Sequence, residues 1–268
     1  MTANGEVWTT QVSRLLAPNP GVMTLDGTNT LVIRRPGSPR AVVVDPGPLV
    51  ASHVARIQAQ DGIELVLLTH HHVDHTESAA RVHELTGAPV RAADDALCIG
   101  APPLRDGERV DAGGTAIEVI ATPGHTSDSV CFALPDDRTA AGGGAGSILT
   151  GDTILGRGST VIAPTGALGD YLASLERLRR RGGATVLPGH GDVIARLDVV
   201  CSEQLAHRHA RLAAIRALLE REGVAPSTRP EVVRFVTDTV YADTSPEVRA
   251  AAELSVAAQL EHLAASGG

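Results

Sequence analysis

At 268 residues, with 43 % hydrophobic and 20 % charged positions, the chain has room for one large globular domain, or one domain and a small appendage. A formal net charge of −8 repels polyanions on average and argues against a dedicated nucleic-acid binder; every cation among the 23 Lys+Arg positions is arginine, read here as codon bias. The 3 cysteines, Cys98, Cys131 and Cys201, form no CxxC pair, which argues against a disulfide framework or a cysteine zinc knuckle and fits a reducing cytosol.

No basic segment followed by an apolar run opens the chain, so no signal peptide is expected. No stretch reaches the roughly 20 apolar residues that span a bilayer. The short apolar runs Leu31–Arg34 and Ala41–Asp45 predict the first strands, and Leu49–Asp61 has helical spacing. Glu64–Thr69 predicts a strand and Thr76–Thr86 a helix. Ala116–Ala121, Ser129–Leu134 and Ser147–Thr150 predict three further strands, with the Gly-rich stretch Thr139–Ser147 as a surface loop. A helix over Asp170–Arg181 and a strand over Ala184–Leu187 complete the pattern. With aromatic residues at 2 %, the core must be built from Val, Leu, Ile and Ala. Strands mixed with helices on this scale predict two sheets with helices packed outside.

Beyond residue 198 the composition changes. Val199–Glu222 reads as one long amphipathic helix with Leu205, Leu212, Ile215, Leu218 and Leu219 on its apolar side. Arg229–Val240 and Ser245–Ala264 read as two more, with Pro230 and Pro246 near their starts, where proline is tolerated. The expected division is therefore a catalytic domain over 1–198 and a small helical domain over 199–268. The favoured role for that tail is a structural cap or a dimer element, and the alternative is one wall of a substrate cleft.

The chemistry concentrates in Thr69-His70-His71-His72-Val73-Asp74-His75-Thr76, which follows an apolar strand and opens a helix. Alternate side chains of an extended stretch point the same way, so His70 and His72 can face one metal while His71 points elsewhere. At the helix start, Asp74 and His75 can face a second. Imidazole and carboxylate are the ligands zinc accepts. Three later strand ends each carry one more ligand residue beside a glycine, which lets the backbone turn sharply. These are His125 in TPGHT, Asp152 in TGDT and His190 in PGHG.

In this order the motifs resemble those of the metallo-β-lactamase fold superfamily, over roughly residues 20 to 195. The resemblance implies an α/β fold, a four-layer αββα sandwich with a small C-terminal winged-helix-like domain. It implies that His70, His72 and His125 bind a first metal, that Asp74, His75 and His190 bind a second, and that Asp152 bridges the two. The implied cofactor is a pair of zinc ions, with iron or manganese as alternatives. The reaction the resemblance implies is hydrolysis by a metal-bridging hydroxide, with Asp74 as the expected catalytic residue that orients it and passes a proton to the leaving group. Asp45 matches the superfamily's early aspartate and is expected to hydrogen-bond the ligand loop. No GxSxG elbow supports a serine nucleophile.

The stretch from Asn19 to Thr30 (NPGVMTLDGTNT) resembles the N-terminal signature of the β-lactamase-like protein 2 family, and the helices opening at His207-Arg208-His209-Ala210-Arg211 resemble its tail. GTNT is read as a tight turn into a strand, and Asn29 is not counted among the site residues. His207 and His209, two apart on a helix, point to different sides and are treated as non-ligands. The complete seven-ligand set resembles the glyoxalase II type. That implies a small-molecule acyl substrate, a thioester first, handled in the cytoplasm without a membrane partner. A single-stranded RNA nuclease is the second reading, motivated by Arg177, Arg179, Arg180 and Arg181 and opposed by the net charge. Weak β-lactam hydrolysis is the third. A di-iron redox module is disfavoured because the histidines are kept and there is no room for a flavodoxin domain.

Overall fold

The structure is a computed structural model that describes residues 5–139 and 145–266. Residues 140–144 of the expected Gly-rich loop lie outside them. Six strands form the first sheet in chain order: β1 Glu6–Val7, β2 Val12–Leu16, β3 Asn29–Ile33, β4 Ala41–Val44, β5 Ile63–Leu67 and β6 Val90–Arg91. Five form the second: β7 Arg109–Ala112, β8 Thr115–Ala121, β9 Val130–Leu134, β10 Ser147–Gly151 and β11 Thr185–Pro188, in the order β11-β10-β9-β8-β7. Only β4–β5, β5–β6 and β10–β11 pair parallel, and all other neighbours are antiparallel.

Alternation along the strands sorts the side chains into layers. Leu31, Ile33, Val42, Val44, Leu65 and Leu67 of the first sheet meet Ile117, Val119, Phe132, Leu134, Leu149 and Leu187 of the second. The opposite face of the first sheet, with Val32, Val43 and Val66, packs on Ile57 of α1 (Ala51–Gln58). Val82 of the next long helix, Ala79–Thr86, covers the same face. The sheets are thus apolar on both sides, which is why their strands read as short, nearly continuous hydrophobic runs. The expected helix over Thr76–Thr86 is two pieces, α2 Val73–Thr76 and α3 Ala79–Thr86. The break lets Asp74 and His75 sit in a first turn of their own.

The outer face of the second sheet, with Ile120, Cys131, Ile148 and Val186, is covered by α4 (Leu168–Arg179) and α5 (Leu197–Glu222). The same apolar cluster continues into α6 (Pro230–Val240) through Val232 and Val236, and into α7 (Arg249–Ser266) through Val256 and Leu260. The sandwich and the tail share this core, and the expected boundary after residue 198 falls in the first turn of α5. Among the described residues the tail is helical and holds no strand, so it has no wing of the kind a winged helix carries. Strands β1, β2, β6 and β7 have no counterpart in the sequence reading. Two are only two residues long, and β7 (RVDA) is an edge strand whose charges face solvent and break the apolar pattern.

Candidate metal centre

Every residue of the site sits where an apolar strand stops. β5 ends at Leu67 and the chain bends over residues 69–71 before α2, with His72 as its extended N-cap at φ −60°, ψ 140°. His125 follows β8, Asp152 follows β10 and His190 follows β11. Stacking the sheets brings these ends to one edge. There the ligand atoms form two groups, His70–His72–His125–Asp152 and Asp74–His75–His190, each within 4.8 Å.

The distances carry the chemistry. His72 Nδ1 lies 3.1 Å from His70 Nε2 and 3.0 Å from His125 Nε2. In the second group, His190 Nε2 lies 3.2 Å from His75 Nε2 and 3.2 Å from Asp74 Oδ2. Two ligands bound at 2.0–2.1 Å to one tetrahedral zinc stand about 3.3 Å apart. Asp152 faces both groups. Its Oδ1 is 3.4 Å from His75 Nε2 and 3.5 Å from His190 Nε2, while its Oδ2 is 3.8 Å from His125 Nε2. Oδ1 is buried without a hydrogen-bond partner among the described residues. An orphaned carboxylate oxygen amid converging imidazole nitrogens is what a pair of divalent cations would satisfy, so the donor set fits that cofactor.

The rings are held from behind. His70 Nδ1 donates to Thr69 Oγ1 at 3.0 Å and His75 Nδ1 to Asp45 Oδ2 at 2.8 Å. His125 Nδ1 donates to the Val161 carbonyl at 2.6 Å and His190 Nδ1 to the Gly27 carbonyl at 3.1 Å. Each bond leaves the Nε2 lone pair free to face the centre. Asp45 also accepts from Thr69 N at 2.8 Å and Thr69 Oγ1 at 2.7 Å, so it ties the ligand loop together, as expected of it. Gly189 leaves the needed room: a Cβ there would stand 2.7 Å from Asp152 Oδ1.

Electrostatics divide the groups. Burial, reinforced by His75, holds His70 well below the usual histidine range; burial, reinforced by His125, lowers His72 to about 4. Burial likewise lowers His125, against the pull of Asp152. In the second group burial also opposes charge, but Asp152 and then Asp45 outweigh it at His75 and hold it well above the range. Asp152 outweighs it at His190, which rises to about 9. Burial works against ionising Asp152 too, yet His190 and His75 keep its carboxyl well below the ordinary carboxylate range.

Outside the ligand groups, His71 turns away as expected, its Nδ1 2.7 Å from Asp128 Oδ1. His207 meets Ser159 Oγ at 3.4 Å, and neither it nor His209 joins a ligand group. Three of the four arginines behind the RNA reading are paired with acids: Arg177 with Asp106 at 2.9 Å, Arg179 with Glu176 at 2.7 Å and Arg181 with Glu118 at 2.5 Å.

Asn29 is the residue that sequence reasoning left out. It is buried, and its Nδ2 donates to the carbonyls of Pro188 at 2.9 Å and Gly191 at 2.8 Å, clamping the loop that carries His190. Its neighbour Thr28 reaches Asp74 Oδ2 at 3.4 Å. A polar Thr-Asn-Thr run inside an apolar strand context was the available signal.

A cavity of about 320 Å³ opens beside His125 and Asp152. Val22, Met23 and Leu25 line one side, and Tyr241, Val248, Ala251 and Ala252 of the tail line another. The tail is thus more than the cap favoured from sequence: its apolar residues both complete a core and wall a cleft. Among the described residues no helix is long and apolar enough to cross a membrane.

Residues 23–190 match the family model of the metallo-beta-lactamase superfamily. The chain is 30 % identical to the beta-lactamase-like protein 2 homolog of Caenorhabditis elegans, over 96 % of this chain and 85 % of that one. It is 33 % identical to the atrochrysone carboxyl ACP thioesterase of Aspergillus chevalieri, over 88 % and 76 %. It is 32 % identical to the lactamase-like protein nscB of Aspergillus fumigatus over 80 % of this chain, and there spans 63 % of the relative's length. In fold it is similar to a metallo-beta-lactamase family protein from Thermus thermophilus, with a TM-score of 0.74 at 23 % identity over 96 % and 94 % of the two chains.

Proposed function

The chain belongs to the metallo-beta-lactamase superfamily, and we propose that it is a dinuclear zinc hydrolase that cleaves a thioester or related acyl substrate. The observation that carries this reading is the two-group ligand set around Asp152, complete and hydrogen-bonded from behind, beside a small and mostly apolar cavity. His70, His72 and His125 would hold one ion, Asp74, His75 and His190 the other, and Asp152 both. When bound, such ions would supply Lewis acidity, which lowers the pKa of water towards neutrality and polarises a carbonyl.

The chain's own groups do the rest. Asp74 is the exposed member of its group, with 26 % of its side chain open where His75 is closed, and Thr28 and His190 fix its Oδ2. It is the residue to orient the attacking water and hand its proton to the departing thiolate. The apolar walls from Leu25 to Ala252 receive the acyl chain and exclude bulk water from the reacting carbonyl. The thioesterase name borne by one relative supports a thioester over other acyl groups.

The test is thiol release from S-lactoylglutathione and from acyl-CoA thioesters by fully zinc-loaded protein. Turnover lost in D74N, with zinc retained at the first site and weakened at the second, is the expected result. No turnover of any thioester sinks the proposal. Cleavage of single-stranded RNA that falls steeply with salt, or nitrocefin turnover faster than any thioester, would redirect it.

A further inference from the structure

Arg208 occupies a position that an apolar residue should hold. On α5 it shares a face with Cys201, Leu212 and Ile215, and it is 3 % exposed. Its Nη2 donates to the Thr160 carbonyl, and its charge also acts on the Tyr171 hydroxyl. Its guanidinium lies 5.1 Å from the centre of the Tyr171 ring, and its Nε is buried without a partner. Among the described residues no Asp or Glu forms an ion pair with it. A buried guanidinium stays charged, and burying it unpaired costs several kcal/mol.

The side chain lines the cavity together with His125 and Asp152. The other cation there, Arg157, is neutralised by Asp26 at 3.0 Å. A supporting role for Arg208 accounts for part of this. Thr160 Oγ1 donates to the Asp152 carbonyl at 2.5 Å, so the Thr160 loop needs holding. A neutral donor would hold a carbonyl equally well, and one aromatic face offsets only part of the cost of a buried charge.

We propose that Arg208 anchors a carboxylate carried by the acyl substrate, remote from its scissile carbonyl. The substrate is then an acyl group with an acidic end, its apolar middle lying along the wall made by Leu25 and Val248. This rests on the acyl-hydrolase reading for the identity of the reacting group. The anchor itself is a feature of binding.

The test is calorimetric. Zinc-loaded protein is titrated with dicarboxylates from succinate to suberate and with monocarboxylates of the same chain lengths. One carboxylate of each probe can occupy the metal centre, so the difference within a pair reads the second contact. One dicarboxylate length should bind about 10- to 100-fold tighter than its monocarboxylate, the scale of one charged hydrogen-bonded contact. R208Q should abolish that preference and leave zinc content and monocarboxylate affinity unchanged, and R208K should reduce it several-fold. The proposal is overturned if no length is preferred, or if R208Q keeps the preference. It is equally overturned if R208Q weakens both probes together with zinc content, the signature of a mere support for Thr160. Should R208Q fail to fold, an undiminished preference in R208K overturns it. A lack of thioester turnover would remove the acyl reading and leave this binding comparison intact.

Discussion

Asp45 shows how one residue can be constrained from several sides. Its backbone stands at φ +49°, unusual for a residue with a Cβ, and its buried carboxylate serves Thr69 twice and His75 once. D45N removes the charge that supports the His75 proton and should weaken zinc binding about 10- to 100-fold at the second site alone, read by competitive chelator titration. The same centre predicts a pH signature. Without metal, His190 carries a proton up to about pH 9, and His75 is likewise raised, so zinc must displace protons there. Second-site affinity should rise about tenfold per pH unit for each displaced proton between pH 6 and 8. First-site affinity should change less over that range, because burial lowers His70, His72 and His125 and leaves fewer protons to displace. Equal slopes at both sites would contradict this assignment. His53 offers a test away from the ligands. It is fully buried against Thr30, and burial, aided by Arg56, lowers its pKa to about 4. The unfolded chain takes that proton near 6.5, so the stability is whole above pH 6.5 and is lost as pH falls towards 4. The loss is roughly 3 kcal/mol. Urea unfolding of H53Q should lack that share of the decline.

At the level of elements, the entry into β3 is as much a part of the centre as the histidine loop. Asn29 pairs in register with Leu16 as a strand residue, yet its side chain crosses to the β11 end and holds two carbonyls there. N29A leaves those buried carbonyls with fewer partners and should cost about 1–3 kcal/mol, with zinc lost first from the site that uses His190. Thermal unfolding and metal stoichiometry together check it. The loop at Gly189 is constrained by space instead. G189A would press a methyl against Asp152 Oδ1 and His75, and should abolish stable zinc binding. α2 makes a related point. It is one turn long, yet that turn is what lets Asp74 and His75 face the second group while His70 and His72 face the first.

Across the whole molecule, one apolar cluster runs from the second sheet through α4 and α5 into α6 and α7. Sandwich and tail should therefore unfold together. L260A, deep in the tail, should cost about 2–5 kcal/mol and shift a single transition that far-UV CD and the tail's own Tyr241 both follow. Two separated transitions would mean the tail folds independently. Because Tyr241, Val248 and Ala252 wall the cleft, looseness in the tail would also be felt as altered substrate affinity.

Local physics explains what was legible in the sequence. Apolar runs bounded by glycine and histidine predict β3 to β5 and β8 to β11 to within a residue or two, since strands buried on both faces leave a strong signal. The spacing HxHxDH anticipates the split of four side chains, His70 and His72 in one group and Asp74 and His75 in the other, although the loop bends where alternation assumed an extended chain. Its resemblance to a known family supplies the remaining three. Only the stacking of the two sheets could bring Asp152 between the groups, place Asn29 against a loop 162 residues away and turn the tail into a cleft wall. Those relations depend on which layer lies over which, and periodicity within a single element carries no information about that. Arg208 is the clearest case. In sequence it is one more arginine on a helix, and only the tertiary structure shows it buried, without an acidic partner among the described residues, and lining the cavity.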